Sequence, residues 1–156
     1  MKTLNVGMIG YKFMGKTHSN AWRQVDKFFP VSAQPVLHTI CGRDKAGVTA
    51  AAKKPGWKNV ATRWQDVVAN PEINILDINT ANDTHAEISI AAAKAGKHVL
   101  CEKPLAMTVK EAEAMVAAVT PALSRPQMVW SSGFAETGKN LSTWRHALEC
   151  VLPINL

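Results

Sequence analysis

Four short stretches carry residues whose types and spacing suit ligand chemistry. The first is GYKFMG, residues 10–15. In a phosphate-cradling loop of pattern G-x-G-x-x-G, the first glycine makes a tight turn. The second lets a pyrophosphate come close, and the third lets a helix pack on a strand. Gly10 and Gly15 hold the first and third positions, and Lys12 stands where the second glycine belongs. Its side chain must turn outward or crowd a phosphate, while its charge favours an anion. A helix starting there still offers unpaired N–H groups and the positive end of its dipole. The same residues also fit an ordinary glycine-rich turn between strand and helix.

The second stretch is CGRD, residues 41–44. A dinucleotide site has an acid at the end of its second strand, roughly 20 residues beyond the loop, for the ribose 2′-hydroxyl. Gly42 occupies that place and Arg43 follows it. A planar guanidinium suits a 2′-phosphate, which favours NADP over NAD. The alternative is a solvated Arg43, with Asp44 as ribose partner or helix cap. The third stretch, NTANDTHAEI at 79–88, ends an apolar strand, and Thr80, Asn82 and His85 could face a cleft there. Each of the three also fits a turn or cap, and His85 a structural role. The fourth, CEKPLA at 101–106, ends another strand with Glu102, Lys103 and Pro104. A partly desolvated Lys103 could hold a carbonyl or hydroxyl and modulate proton transfer. Pro104 can take a cis bond, although trans is commoner. A surface ion pair of Glu102 with Lys103, worth little, is the plainer reading.

The elements that must position these residues alternate. Strands are expected at 3–9, 35–41, 58–61, 73–80, 97–102 and 126–130, with Pro30 and Pro35 bracketing a loop. Helices are expected at 14–28, 43–54, 63–70, 83–96 and 108–120. Asp44 is placed to cap the second helix and Gly96 to stop the fourth, and Thr108 with Glu111 forms a capping box for the fifth. Such alternation predicts an α/β fold: a doubly wound, mostly parallel sheet built from βαβ units. Past Trp130 only a weak helical stretch near 142–150 is visible, so residues 1–130 are expected to form one domain and 131–156 a tail.

The totals narrow the function classes. The chain has 156 residues and a formal charge of +6, with its cations scattered rather than striped. Without a basic stripe interleaved with aromatics, nucleic acid is not an expected partner. Three cysteines with no CxxC predict neither disulfides nor a metal site, and reduced thiols suit a cytoplasmic setting. No apolar run approaches the ~20 residues of a membrane span, and the N-terminus does not read as a signal peptide.

Taken together, VGMIGYKFMGKTHSNAW, LDINTANDTHAEISIAAAKAGKHVLCEKPLA and EAEAMV resemble, in order and spacing, the N-terminal domain of the Gfo/Idh/MocA family. That group includes glucose–fructose oxidoreductase and inositol dehydrogenase. The resemblance covers residues 3 to about 130, and EKP after AGKHV is its most specific part. It implies a Rossmann domain that binds NAD or NADP and oxidation of a sugar or cyclitol hydroxyl, or the reverse. It places the family's catalytic lysine, beside the nicotinamide and the reacting hydroxyl, on Lys103 of the Glu102-Lys103-Pro104 motif. It places the glycine loop on Gly10, Lys12, Phe13, Met14 and Gly15, and the Thr-Pro-Asn cofactor loop on Thr80, Ala81 and Asn82, with Ala81 departing from the usual proline.

Family members run to about twice this length. Their second domain binds substrate, often builds the oligomer, and supplies the acid/base Asp and His. SSGFAETGKN, after Trp130, does not match the family's continuation, and His146 lies in that unmatched tail. Truncation, a shifted reading frame or divergence would each explain the break. The chain alone is therefore expected to turn over weakly or not at all. The alternatives are a non-catalytic nucleotide-binding module, associating with itself or with a full-length relative, and an inactive fragment. In the module reading Trp144, Leu148 and Val151 would cover an apolar patch, either within one chain or by swapping between chains.

Overall fold

The structure, a computed structural model, describes residues 2–119 and 128–130. In chain order the elements are β1 (Lys2–Ile9), α1 (Phe13–Phe28), β2 (Ala33–Cys41), α2 (Lys45–Lys53), β3 (Asn59–Ala61) and α3 (Trp64–Ala69). There follow β4 (Ile75–Ile78), a single 3-10 turn (Asn82–Thr84), α4 (His85–Lys94), β5 (His98–Cys101), α5 (Val109–Val119) and β6 (Met128–Trp130). The helical stretch near 142–150, His146, Cys150 and the tail's apolar side chains lie outside the described residues.

The six strands form one sheet in the order β3-β2-β1-β4-β5-β6, and every neighbouring pair is parallel. The chain steps outward from β1 to β3, crosses back, then steps outward from β4 to β6. The order thus reverses between β1 and β4, and ligands of doubly wound sheets bind at the carboxyl ends of strands beside such a reversal. This is the α/β fold the sequence predicts.

Parallel strands covered on both faces are buried on both sides, as are β1 from Val6 to Ile9 and all of β4, although β4 carries Asp77. One core layer joins Val6, Met8, Ile40, Val48, Trp57 and Ile75 beneath α1 and α2. The other joins Ile9, Val67, Leu76, Ile78, Ile88 and Val99 beneath α3 and α4. Side chains alternate along a strand. Asp77, between Leu76 and Ile78, therefore points to the α1 side, and it is fully buried.

The local signals act as written. Asp44 accepts from Ala46 N and Gly47 N, each at 3.1 Å, and so caps α2. Glu111 accepts from Met107 N (2.8 Å) and Thr108 N, and Thr108 Oγ1 accepts from Glu111 N, a reciprocal capping box. Gly96, at φ +73, takes the left-handed residue that ends α4. Pro35 belongs to β2 as expected, paired opposite Leu4, but the strand starts two residues earlier, at Ala33, so the loop after Pro30 is shorter than expected. β3 reaches only Thr39–Cys41. At Pro35, then, β2 has a strand on one side only, where a missing N–H is tolerated. Among the described residues no helix is long and apolar enough to cross a membrane.

Candidate functional site

The glycine loop joins β1 to α1 at the reversal of strand order. Gly10 has φ +101, and its N–H donates to Cys41 O at 2.9 Å. A Cβ on Gly10 would strike the backbone carbonyl of Asn79, and one on Gly15 would strike the carbonyl of Gly10. Both glycines are thus demanded by close approach of backbone. Lys12 is different. It caps α1 at φ −75, a value any residue adopts, and its side chain is exposed. The first turn of α1 carries no acidic residue and no side-chain cap. Its leading N–H groups, at Phe13, Met14 and Gly15, are left for water or an anion. Phe13 itself is 80% exposed beside them.

At the end of β2, Gly42 lies under the ring of Tyr11, and a Cβ there would strike that ring. Both Asp44 oxygens are engaged by the α2 N–H groups. Arg43 is exposed and forms no ion pair with a described residue. Tyr11 and Gly47 also border a cleft of about 600 Å³ between α1 and α2, lined by the cations Lys16, Arg23 and Lys54 and by no acid.

At the end of β4, Asn79 N donates to Ile9 O at 2.7 Å, which ties this strand end to the glycine loop. The Thr84 hydroxyl lies 2.8 Å from Ala81 O and 2.7 Å from Thr80 Oγ1. Having one proton, it donates to the carbonyl and accepts from Thr80. Asn82 is exposed in the 3-10 turn. His85 is fully buried. Its Nδ1 is 2.8 Å from Pro104 O and its Nε2 3.2 Å from Thr80 O. The ring therefore sits between the Thr80 loop and the Lys103–Pro104 turn, out of reach of a ligand. The Lys103–Pro104 peptide is cis. Lys103 and Pro104 are exposed at the end of β5, whereas Glu102 is buried.

The sequence reading missed the polar cluster beneath these loops. His18, on α1, places Nδ1 2.9 Å from Asp77 Oδ1 and Nε2 2.9 Å from Glu102 Oε1. Trp22, one turn further on, donates Nε1–H to Asp77 Oδ2 at 2.6 Å. Asn79 donates Nδ2–H to Asp77 Oδ1 at 2.7 Å. Glu102 Oε2 accepts from Lys103 N at 3.0 Å. The hydrogen bond to Asp77 raises the His18 pKa against the cost of burial, and Glu102 adds to the rise. A lone buried carboxylate would cost several kcal/mol, which explains why Asp77 gathers three donors. The available signal was an acid inside the apolar run INILDI. Its partners on α1 lie 59 and 55 residues away and do not show as a motif. The two described cysteines take no part: burial pushes both Cys41 and Cys101 thiols up to about 11.

Comparison with known proteins bears on this arrangement. The Gfo/Idh/MocA oxidoreductase family, an NAD-binding Rossmann fold, matches residues 4–125. Levoglucosan dehydrogenase of Pseudarthrobacter phenanthrenivorans is 47% identical over 120 residues, covering 76% of this chain and 31% of that protein. Inositol 2-dehydrogenase of Salmonella typhimurium is 28% identical over 116 residues, 74% of this chain and 33% of that one. Among solved structures, levoglucosan dehydrogenase in complex with NADH superposes with a TM-score of 0.74 at 46% identity, over 76% of this chain and 32% of that one. The chain spans about a third of the length of the curated relatives it matches.

Proposed function

Because the chain belongs to the Gfo/Idh/MocA family of NAD-binding Rossmann oxidoreductases, we propose that it holds a nicotinamide dinucleotide across the carboxyl ends of β1, β2, β4 and β5. In this reading it serves the oxidation of a sugar or cyclitol hydroxyl, or the reverse. One observation carries the proposal. The Gly10–Gly15 loop, closed by backbone contact at both glycines, presents the uncapped start of a 16-residue helix at the reversal of strand order. Oriented N–H groups at such an end suit a pyrophosphate.

The roles follow from placement. The N–H groups of Phe13, Met14 and Gly15 would bind the pyrophosphate, with Lys12 free to add its charge from outside. Thr80 and Asn82 would meet the nicotinamide half. Arg43 would lie at the adenosine ribose; with Asp44 already spent on capping α2, a cation is the free group there, which supports NADP. The relative solved with NADH supports NAD, so the choice turns on Arg43. A bound nicotinamide supplies the hydride exchange. Lys103 would hold the reacting oxygen and steady its proton. Glu102 and Pro104 shape the turn that carries Lys103, and His85 packs between that turn and the Thr80 loop.

Residues 1–130 would act as the dinucleotide domain, with 131–156 outside it. The test is a fluorescence titration of NADH and NADPH into the chain. Saturable binding supports the reading, and no binding of either overturns it.

A second reading, a module that associates with itself or with a longer relative, is favoured by the exposure of Phe28, Phe29, Met107 and Val109. Light scattering that finds only a monomer across a wide concentration range would count against self-association.

A further inference from the structure

We propose that His18 is a positioning residue for the dinucleotide site: as an imidazolium bridging Asp77 and Glu102, it locks the Glu102–Lys103 turn to the helix that follows the glycine loop. This rests on the reading of that loop as a dinucleotide site. His18 belongs to the same helix whose start faces the loop. Its Nε2–H donates to Glu102 Oε1 at 2.9 Å, and Glu102 Oε2 accepts from the Lys103 N–H at 3.0 Å. Two hydrogen bonds therefore connect the phosphate-facing helix to the backbone of the residue that carries an exposed amine at the end of β5. On the other side, Nδ1–H donates to Asp77 Oδ1 at 2.9 Å. Carboxylates accept and do not donate, so the ring must carry both protons to make both bonds.

The groups facing the ring decide what its charge does. Asp77 comes from β4 and is fully buried, and Glu102 follows β5 and is nearly so. Without the imidazolium, two like charges would face each other in a poorly hydrated place, which disfavours both. Trp22, from the same helix, adds a neutral donor to Asp77. The Cys101 thiol feels both carboxylates and stays protonated, its pKa pushed up to about 11 chiefly by burial. When the ring loses a proton, one bond fails and the carboxylates lose their shared counter-charge. The tie that runs from α1 through Glu102 to the Lys103 backbone is then weakened. A contact that served stability alone need not end on the N–H of Lys103. That end point is what links it to the site.

The test titrates NADH into the full 156-residue chain from mildly acidic to mildly alkaline pH, for wild type, His18→Leu, and the double variant His18→Gln with Glu102→Gln. In the double variant the new amide on α1 would donate to Asp77 and accept from the new amide after β5. The oxygen of that second amide still accepts from Lys103 N–H, so the geometry survives without a titrating ring. Wild-type affinity is expected to fall as pH rises through the raised His18 titration. His18→Leu should bind about tenfold more weakly at mildly acidic pH, the scale of one lost charge-assisted hydrogen bond, with no further fall. The double variant should recover most of the affinity with a flat profile. A folded His18→Leu chain with wild-type affinity and pH profile overturns the proposal. Should His18→Leu fail to fold, a double variant that keeps the wild-type fall with pH does the same. Absence of saturable NADH binding by wild type would instead overturn the dinucleotide reading itself.

Discussion

His85 and Pro104 meet inside the molecule: the buried imidazole Nδ1 lies 2.8 Å from the Pro104 carbonyl oxygen, while Nε2 faces Thr80 O at 3.2 Å. Two loops from different strand ends thus share one ring. Both partners accept and a neutral ring carries one N–H, so it donates to the nearer Pro104 oxygen and only packs against the Thr80 carbonyl. His85→Leu fills much of the same space but removes the donor to a partly buried carbonyl, at a cost of about 1 kcal/mol. Urea unfolding should show that loss, and NADH affinity should fall with it. Unchanged stability would remove the ring from its holding role.

Gly15 and Lys12 predict opposite outcomes although both belong to the same loop. Gly15→Ala drives a methyl into the Gly10 carbonyl. Overpacking of this kind costs about 1–3 kcal/mol, and the displaced helix start should lose NADH affinity outright. Lys12→Gly restores the glycine motif in name only. At φ −75 the lysine lies outside the left-handed region that favours glycine, so the added freedom should lower stability, by up to about 1 kcal/mol. Tighter NADH binding by Lys12→Gly would show that the side chain crowds the phosphate after all. Paired thermal melts and titrations of the two variants decide.

Arg43 carries the choice between cofactors. Arg43→Asp puts a carboxylate where a 2′-phosphate would sit, and it should shift preference from NADPH toward NADH by roughly tenfold or more, the scale of a lost charge-assisted bond plus repulsion. The measurement is the ratio of the two dissociation constants. An unchanged ratio would mean that Arg43 is solvated and that the adenosine ribose is met elsewhere.

What the sequence revealed, and what it hid, follows from the range of each interaction. Asp44, Gly96 and the Thr108–Glu111 box act within a few residues, so their types and spacing alone place the starts of α2 and α5 and the end of α4. The alternation of strand and helix fixed the sheet in the same way. The start of β2 was set two residues late, at Pro35, because a proline's tolerance inside a strand depends on the neighbouring strand, and β3 is too short to reach it. The His18–Asp77–Glu102 cluster escaped because its pairs are 59 and 84 residues apart. Only the crossing of α1 over the ends of β4 and β5 brings them together. Asp77 in an apolar strand announced that some partner must exist without naming it.

The same cluster sets how stability should vary with pH. The folded-state pKa of His18 is raised above 6.5, chiefly by Asp77. Its contribution is therefore complete below the unfolded value and is lost as pH rises through the folded one. His98 is the reverse case: burial lowers its pKa below 6.5. Its contribution is present above the unfolded value and is lost as pH falls through the lowered folded one. Wild-type stability, measured by urea unfolding across pH, should thus decline on both sides. The double variant His18→Gln with Glu102→Gln should lose the alkaline decline assigned to His18 and keep the acid one. Should the alkaline decline survive unchanged in that variant, His18 is not the group that titrates, and the imidazolium bridge is the wrong description of its two contacts.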